Sequence, residues 1–280
     1  MDLQLEGKVA VVTGASKGIG LAIADGFARE GAHVVAGSRS MTPELEGLRE
    51  TYGVTAVSVD LSTADGPDAL VRHAVDQYGG LDVLINGLGA GTPRSSFLDI
   101  DDAEWQRIFN LILFSAVRAS RAALPHLLDA DGSSIINISS VNARLPFPMV
   151  VDYSAAKAGL SNLGKSLSEE FAPRGVRVNA ICPGPVRTPF WTAPGGFADA
   201  TAAQAGTTAQ EAIDVVVPQT MGISTGRVTE AHEVADLALF LASPAGRQHH
   251  RSRVHHRRRA SQDVVIPCPS PRTRLPNTGR

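Results

Sequence analysis

Residues 8–20 read KVAVVTGASKGIG, and this stretch decides how the rest of the chain is interpreted. Its first half is a short apolar run that predicts a buried strand, and the apolar periodicity of residues 21–29 predicts a helix. Glycines between a strand and a helix let the backbone approach a phosphate, while the free N–H groups of the first helical turn point at the anion. The stretch therefore predicts a pyrophosphate-binding turn; a tight turn without a ligand is the alternative interpretation.

The same alternation continues along most of the chain. Apolar runs predict further strands at residues 33–36, 54–59, 81–85, 134–138 and 176–181, and helical periodicity marks residues 66–78, 102–128, 151–171 and 230–242. Strands separated by helices form a parallel sheet covered on both faces. We expect an α/β fold, a single-domain Rossmann-type doubly wound parallel sheet over residues 1–246. Ligands bind at the carboxyl ends of such strands, where five candidate positions fall: Thr13/Gly14, Asp60, Asn86, Ser140 and Pro183.

The composition fits one large domain with a proper core. The chain has 280 residues, of which 43% are apolar and 19% charged, with a net charge of -2. The N-terminal residues lack the basic and apolar regions of a secretory signal, and no run of about 18 apolar residues occurs. Cys182 and Cys268 have no metal-type spacing. We expect a cytoplasmic protein with no metal site and no membrane partner.

The end of the second predicted strand, Gly37-Ser38-Arg39-Ser40, bears on the type of nucleotide. In dinucleotide-binding folds an acid here binds the ribose hydroxyls, whereas a basic group suits a 2′-phosphate. No acid is present, but Ser38 and Arg39 are, and Lys17 lies in the glycine turn. These residues favour NADP (NADPH) over NAD; solvated surface cations are the alternative interpretation.

The candidate chemistry lies in Tyr153-Ser154-Ala155-Ala156-Lys157. Residues four apart share a helix face, so the Tyr153 phenol and the Lys157 ammonium would reach one pocket. A free tyrosine has a pKa of about 10, and a neighbouring cation would lower it towards the range of an acid/base catalyst. Ser140 follows an apolar strand upstream. The pair alone also fits an amphipathic helix with a snorkelling lysine.

Together these motifs resemble those of the classical short-chain dehydrogenase/reductase family over about residues 5–245. The matching positions are Thr13-Gly14-x-x-x-Gly18-x-Gly20, Asp60, Asn86-Gly87-Leu88-Gly89, Asn110, Ser140, Tyr153-x-x-x-Lys157, and Pro183-Gly184 with Thr188. The extended, epimerase-like branch is less similar in its glycine spacing. The resemblance implies an oxidoreductase that moves a hydride between NADP(H) and a carbonyl or secondary alcohol, as a 3-oxoacyl reductase or another ketone reductase does. It also implies a homo-oligomer, a dimer or a tetramer.

The resemblance further implies a role for each site residue. Tyr153 would exchange a proton with the substrate oxygen, Ser140 would hydrogen-bond that oxygen, and Lys157 would hold the nicotinamide ribose and lower the pKa of Tyr153. Asn110 would anchor a water that relays protons. Cofactor contacts are implied for Gly14, Ser16, Lys17, Gly18, Ile19, Gly20, Ser38, Arg39, Asp60, Leu61, Asn86, Gly87, Gly89, Tyr153, Lys157, Pro183, Gly184, Val186 and Thr188. From the residues alone, a strand-end cap for Ser140, a helix kink for Asn110 and a helix N-terminal acid for Asp60 remain open.

One local departure is Asn86-Gly87-Leu88-Gly89, where the family usually has Asn-Asn-Ala-Gly. Leu88 adds volume beside the cofactor, and Gly87 lacks a side chain that usually stabilises the central sheet. We expect somewhat weaker cofactor binding or stability, not loss of function.

Residues 247–280 form a larger departure. They carry nine arginines and one acid, Asp263, and residues 247–260 read RQHHRSRVHHRRRA where the family has a last strand ending in Asp-Gly-Gly. The run itself would suit a polyanion patch or a solvated tail. Read one nucleotide later, however, its codons permit GNITGAEFTIDGG, the ending that the family would have. We interpret residues 247–280 as an aberrant, disordered tail after a frame shift near Gly246 or Arg247, with the terminal strand missing.

Residues 190–227 are expected to cover the substrate as a mobile lid, with Phe190, Trp191, Phe197 and Met221 as pocket candidates. Three functions remain open. The first is an NADP-dependent carbonyl reductase or alcohol dehydrogenase for a small molecule, and the second is a cofactor-binding remnant impaired by the lost strand. The third, a nucleic-acid-binding protein, lacks a recognition module and has an acidic body, so we expect no nucleic-acid partner.

Overall fold

The computed structural model describes residues 2–249 and the backbone of residues 253–255. Its strands are β1 (Val9–Thr13), β2 (His33–Ser38), β3 (Thr55–Ser58), β4 (Val83–Asn86), β5 (Ser134–Ile138), β6 (Arg177–Cys182), β7 (Val186–Arg187), β8 (Thr229–Glu230) and β9 (Arg253–His255). Its helices are α1 (Gly18–Arg29), α2 (Pro43–Tyr52), α3 (Gly66–Tyr78), α4 (Asp102–Phe109), α5 (Ser115–Asp129), α6 (Val151–Phe171), α7 (Pro189–Thr192), α8 (Phe197–Ala205), α9 (Ala209–Glu211), α10 (Val217–Thr220) and α11 (Ala231–Ala242).

Seven strands form one parallel sheet in the order β3-β2-β1-β4-β5-β6-β9. The chain builds outward from β1 to β3, returns to place β4 on the other side of β1, and then continues outward. The strand order therefore reverses between β1 and β4, which opens a crevice at their carboxyl ends. The register keeps those ends level, since Thr13 pairs with Gly37 and Asn86 with Asn137. The predicted Rossmann-type fold is confirmed.

Helices cover both faces of the sheet because successive side chains of a strand point to opposite sides. In β1, Ala10 and Val12 pack in the apolar cluster that contains side chains of α1 and α11. Val9 and Val11 pack in the cluster that contains side chains of α3 and α5. This burial on both faces accounts for the continuous apolar run of β1.

Residues 102–129 form one long helical rod. A π-helical turn, Asn110–Phe114, joins α4 to α5. By length and composition the rod would be able to cross a membrane. In this fold it packs inside the protein, with α5 against α3 and β4, and α4 against α6. Turns of π-helix occur frequently at functional sites, and this one begins at the candidate residue Asn110.

The segment after β6 contains short helices that the sequence analysis did not predict. Residues 190–227, which we call the cap, contain α8, α9 and α10, while β7 and β8 form a separate two-stranded sheet. Ala198, Ile213, Val217 and Val228 make a buried cluster under these helices. The cap therefore has an apolar core of its own.

The far edge of the sheet corrects the expectation that the terminal strand is missing. The backbone of Arg253–His255 forms β9, in which Arg253 pairs with Ala180 and His255 with Cys182 of β6. The expectation that residues 247–280 are disordered is therefore wrong for Arg253–His255. Residues 250–252 and 256–280 lie outside the described residues, and the domain boundary at residue 246 remains a prediction.

Hydrogen bonds from β6 hold the chain that leads to this edge. The guanidinium of Arg177 is buried and donates to the carbonyls at the end of α11, including that of Ala242 at 2.8 Å. Asn179 Nδ2 donates to the His249 carbonyl at 2.7 Å. The bonds from Arg177 satisfy carbonyl groups that the end of α11 leaves open.

Candidate functional site

The carboxyl ends of the strands open into a cavity of about 640 Å³. Its lining comes from the loops that follow β1 to β6, from α6 and from the cap. The glycine-turn end is formed by the loops after β1, β2 and β3. The outer end is formed by the lining residues within 90–93, 141–153 and 189–197, together with Met221.

Close backbone approach shapes the glycine turn, residues 14–20. Gly14 and Gly18 have φ of +75° and +59°, in the left-handed region that favours glycine. A Cβ at Gly20 would collide with the Gly14 carbonyl. α1 begins directly at Gly18, and its N-cap residue, Lys17, makes no side-chain capping bond. A bare backbone at an uncapped helix start suits an anion such as a pyrophosphate.

Thr42, which the sequence analysis missed, supports this turn. Its Oγ1 donates to the Ser16 carbonyl at 2.8 Å and accepts from the Leu45 N–H, which makes Thr42 the N-cap of α2. Thr42 also lines the cavity. The pair Thr42-Pro43 is the sequence signal that marks it, since threonine is favoured at the N-cap and proline at the first helical position.

Ser38, Arg39 and Asp60 meet at the glycine-turn end. Ser38 Oγ donates to the Ser40 carbonyl at 2.8 Å, whereas Arg39 is exposed to solvent. Asp60 Oδ1 accepts from the N–H and the Oγ of Ser62, at 2.9 and 2.7 Å. The hydrogen bonds from Ser62, with a smaller contribution from Arg39, lower the pKa of Asp60. Asp60 is therefore a carboxylate at neutral pH.

Lys157 is a buried cation at the floor of the cavity, with 2% of its surface exposed. Its Nζ donates to the Leu88 carbonyl at 2.9 Å and to the Ile138 carbonyl at 2.6 Å. The same atom lies 5.7 Å from the centre of the Tyr153 ring. Burial lowers the pKa of Lys157 to about 7. The spacing of four residues in α6 thus brings the two side chains into one pocket.

Tyr153 is partly exposed to the cavity, and its phenol is a weaker acid than the sequence analysis expected. Burial raises the pKa of Tyr153 to about 12, and a hydrogen bond from Ser140 lowers it only in part. The expected lowering by Lys157 is not met in this structure, because a lysine with a pKa of about 7 carries little charge where this phenol titrates. Ser140 Oγ also accepts from the Asn142 N–H at 3.1 Å, as a strand-end cap would.

Aromatic side chains bound the outer end. The Phe190 ring lies 5.9 Å from the Tyr153 ring and stacks on Phe197 at 5.1 Å, with 19° between the ring planes. Trp191 packs on Phe197 at 5.4 Å. The four pocket candidates of the cap, which include Met221, all line the cavity. Phe147 also lines it and was not anticipated, because no pattern in the sequence marks it.

Asn86 is a predicted site residue that is absent from the described lining of the cavity. It is buried in the sheet, where its amide donates to Ser120 Oγ at 3.2 Å and to Asn137 Oδ1 at 2.9 Å. Its side chain therefore joins β4 to β5 and α5, while its neighbours Gly87 and Gly89 line the cavity.

Asn110 is likewise absent from that lining, although Leu111 beside it is part of the lining. Asn110 begins the π turn, and its carbonyl accepts the Ser115 N–H. Its side-chain oxygen accepts a long hydrogen bond of 3.5 Å from Arg118. Every other residue that the sequence analysis assigned to the catalytic or cofactor site lines the cavity.

Most of the chain matches a known family. Residues 8–195 match the family model described as short chain dehydrogenase. A 3beta-hydroxysteroid dehydrogenase 1 from Eggerthella lenta is 41% identical over 195 residues, which cover 66% of this chain and 73% of the relative. Glucose 1-dehydrogenase 2 from Bacillus subtilis is 35% identical over 194 residues, which cover 67% of this chain and 75% of the relative.

A solved structure extends the likeness to most of the chain. L-Sorbose reductase from Gluconobacter frateurii, complexed with NADPH and L-sorbose, is similar with a TM-score of 0.82 and 34% identity. The match covers 91% of this chain and 97% of that chain. The relatives are named for a steroid, glucose and sorbose, so their names do not agree on a substrate. The protein belongs to the short chain dehydrogenase family, whose members are NAD(P)-binding oxidoreductases that act on hydroxyl or carbonyl groups.

Proposed function

We propose that this protein is an NADP(H)-dependent carbonyl reductase or secondary-alcohol dehydrogenase in which Tyr153 is the general acid/base. The observation that carries the proposal is the grouping of Tyr153, Lys157 and Ser140 in a cavity that reaches the glycine turn. A carbonyl beside the Tyr153 phenol would share one cavity with a dinucleotide. Of the three functions that the sequence leaves open, this one gives a role to the largest number of the residues that line the cavity.

The glycine-turn end fits a dinucleotide on its own chemistry. Its glycine backbone leaves no space for side chains, so phosphates would approach the N–H groups directly. Asp60 would accept from the adenine amino group, Lys157 would hold the nicotinamide ribose, and Thr188 would bind the carboxamide. Bound NADPH would supply the hydride, and bound NADP would accept it in the reverse reaction.

Tyr153 and its neighbours would transfer the proton to and from the substrate oxygen. Because burial raises the pKa of Tyr153 to about 12, the phenol is protonated at neutral pH and set to donate. In reduction, the carbonyl carbon gains the hydride and the carbonyl oxygen gains the Tyr153 proton, which yields a secondary alcohol and a phenolate. The Ser140 O–H donates to that phenolate, and Asn110 is proposed to anchor the water that returns the proton.

The preference for NADP over NAD rests on the charges around the end of β2. Arg39 and Lys17 are both exposed at the glycine-turn end of the cavity, and no acid ends β2. A 2′-phosphate would find two cations there, whereas the ribose hydroxyls of NAD would lack the usual carboxylate. The NADPH complex of the sorbose reductase is a property of that relative, and it supports the proposal only by analogy.

We also propose a cytoplasmic homo-oligomer, a dimer or a tetramer. Phe97, Leu98 and Phe114, near the ends of α4, expose 61%, 88% and 39% of their surface. Neighbouring exposed apolar side chains, such as those of Phe97 and Leu98, are typical of protein interfaces. Light scattering on the purified protein measures the oligomeric state, and a monomer at micromolar concentration would contradict this part.

A thermal-shift titration tests the cofactor. NADPH should raise the melting temperature more than NADH does, since a ligand that binds only the folded state stabilises it. Arg39→Asp should weaken NADPH binding by about tenfold or more and leave NADH binding at least as strong. Lys165→Asp is the matched control, because it makes the same charge change at an exposed residue outside the cavity. Equal weakening by both variants would reject the role of Arg39.

Turnover of a carbonyl panel with NADPH tests the chemistry. Tyr153→Phe should lower kcat by about 100-fold or more while NADPH still raises the melting temperature. NADPH binding without turnover of any carbonyl or alcohol would instead favour the cofactor-binding remnant, which the shortness of β9 would explain. Turnover that survives in Tyr153→Phe would remove this residue from the mechanism.

A further inference from the structure

The charges that line the cavity are divided unevenly between its two ends. Among the described lining residues, the charged side chains are Lys17, Arg39, Asp60 and Lys157. The first three lie at the glycine-turn end, and Lys157 is buried below Tyr153 with two carbonyl partners. No charged side chain lines the outer end as the structure describes it. A charged substrate would therefore have no counter-charge there.

The outer end also has few polar partners. Within it, the described lining has four side chains with a polar atom: Thr92, Asn142, Tyr153 and Trp191, the last through its indole N–H alone. Tyr153, with Ser140, would be engaged by the single reacting oxygen. A sugar carries several further hydroxyls, and each hydroxyl buried without a partner costs about 1–3 kcal/mol. The site is therefore poorly matched to a polyhydroxylated substrate.

Aromatic rings supply the surface that a substrate would meet. Tyr153, Phe190 and Phe197 follow one another at centroid distances of 5.9 and 5.1 Å, and Trp191 joins Phe197 at 5.4 Å. A Cβ at Gly91 would be 3.4 Å from the Phe190 ring, so the glycine lets this ring lie close to the loop after β4. We call these four rings the aromatic wall. It leads outward from the reacting phenol.

A further aromatic ring lines the same end from a different element. Phe147, just before α6, lines the cavity and leaves 36% of its surface exposed. Val150, three residues later, is buried and also lines the cavity. An exposed phenylalanine in a cavity offers apolar area that a ligand would remove from water. The aromatic wall and Phe147 together make the outer end an apolar, ring-binding site.

We infer that the substrate is an uncharged, mainly apolar cyclic ketone, or the matching secondary alcohol, whose ring system packs against the aromatic wall. This inference rests on the proposed function and adds the substrate class. It excludes sugars and charged oxo acids as good substrates. The names of the relatives do not indicate one substrate class, because they include a steroid and two sugars. The inference of an apolar ketone therefore rests on the residues that line the cavity of this chain.

The test compares NADPH-dependent reduction of three probes: 2-decalone (an uncharged bicyclic ketone), L-sorbose and acetoacetate. We expect the largest kcat/KM for 2-decalone. Phe190→Ala and Phe147→Ala should each raise KM for 2-decalone by about 3- to 10-fold, since an aromatic contact contributes about 0.5–1.5 kcal/mol beyond the area it buries. Their NADPH thermal shifts should stay unchanged, which shows that the variants are folded. Tyr52→Ala, at an exposed aromatic residue outside both the cavity and the proposed interface, is the matched control and should leave KM unchanged.

The outcomes separate this inference from the proposed function. A larger kcat/KM for L-sorbose or acetoacetate than for 2-decalone would overturn the inference while the reductase proposal stands. Preference for 2-decalone with unchanged KM in both cavity variants would also overturn it, because the aromatic wall would then not be the binding surface. Failure to reduce any of the probes, or further aldehydes and ketones, despite NADPH binding would overturn the proposed function and this inference with it.

Discussion

Gly87 lies where β4 ends beside β1, and its N–H donates to Thr13 Oγ1 at 2.9 Å. A Cβ at this position would be 2.6 Å from the Thr13 carbonyl oxygen, closer than real Cβ atoms come to a backbone atom. We predict that Gly87→Ala destabilises the protein by about 1–3 kcal/mol, because the end of β1 must shift. Urea unfolding followed by circular dichroism measures the free energy of unfolding.

Gly47→Ala is the matched control for this prediction. Gly47 lies within α2, and nothing is within 4 Å of a Cβ built there. The control should stabilise the protein by about 0.4–1 kcal/mol, because alanine restricts the unfolded chain more than glycine does. If both variants change stability in the same direction, the close approach to Thr13 is not what limits residue 87.

Gly87 also shows what a sequence motif does not predict for a single residue, namely the direction of its side chain. The sequence predicts that Asn86, Gly87 and Gly89 lie near the cavity, because they follow a strand. It does not predict which side chain points into the sheet. In the structure Asn86 makes the hydrogen bonds between strands, and no space remains at residue 87 for the asparagine that the family usually has. That outcome depends on the register between β1 and β4, which a single sequence does not reveal.

Tyr153 gives a prediction about pH. Its pKa is raised to about 12 in the folded protein, above the usual value of about 10. The folded state therefore keeps this proton where the unfolded chain loses it, so stability falls as the pH rises from about 10 to 12. Only three tyrosines are present, so near-ultraviolet titration of wild type against Tyr153→Phe isolates this phenol. Without cofactor we expect no difference below about pH 11; a difference with a midpoint near the usual value of about 10 would contradict the effect of burial.

At the scale of the element, an ion pair fixes the start of α6. Arg94 Nη2 lies 2.9 Å from Asp152 Oδ2 and also contacts Glu104 of α4. The other oxygen of Asp152 accepts the Tyr153 N–H at 2.8 Å. The Asp152 side chain is 1% exposed and that of Arg94 is 16% exposed. Hydrogen bonds from Arg107 and Arg94 lower the pKa of Glu104 to about 2, so Glu104 remains charged at neutral pH.

We predict that Arg94→Met lowers the free energy of unfolding by about 3–5 kcal/mol, because it leaves the buried carboxylate of Asp152 without its cation. Urea unfolding at neutral pH provides the measurement. Arg72→Met is the matched control, since Arg72 and Asp68 form a salt bridge in which the side chains are 65% and 51% exposed. Removing that pair should change stability by less than about 1 kcal/mol. Equal effects of the two variants would mean that the Arg94 pair adds nothing beyond a surface contact.

The elements differ in how well the sequence predicts them, and burial explains the difference. The predicted bounds of α3, β5 and α6 agree with the structure, because each buries a regular set of apolar side chains. α2 was missed because Leu45 is its one fully buried residue, so it has no apolar periodicity. The cap helices were missed because they are short and bury their side chains against one another.

At the scale of the whole molecule, the β6 edge of the sheet is where the prediction from the sequence was wrong. The apolar runs predict six strands, of which five are largely buried between the helices, while the edge strand β3 is only partly buried. β9 has no such run, because a strand at an edge pairs through backbone groups that every residue possesses. The loss of the usual family ending therefore did not prevent pairing with β6. It left a strand of three residues.

The shortness of β9 leads to the last prediction. β6 begins at Arg177, yet β9 pairs only with Ala180 to Cys182, so the family ending would add pairing along an edge that is otherwise open. We predict that a chimera whose residues 247–259 read GNITGAEFTIDGG melts about 3 °C or more higher, which corresponds to about 1 kcal/mol in a protein of this size. A chimera with the same thirteen residues in scrambled order is the matched control. If the two chimeras have the same melting temperature, the family ending does not stabilise the sheet edge. The frame-shift interpretation then rests on codon arithmetic alone. Sequencing the gene across residues 246–247 tests that arithmetic directly, because a single-base change must restore Asp-Gly-Gly.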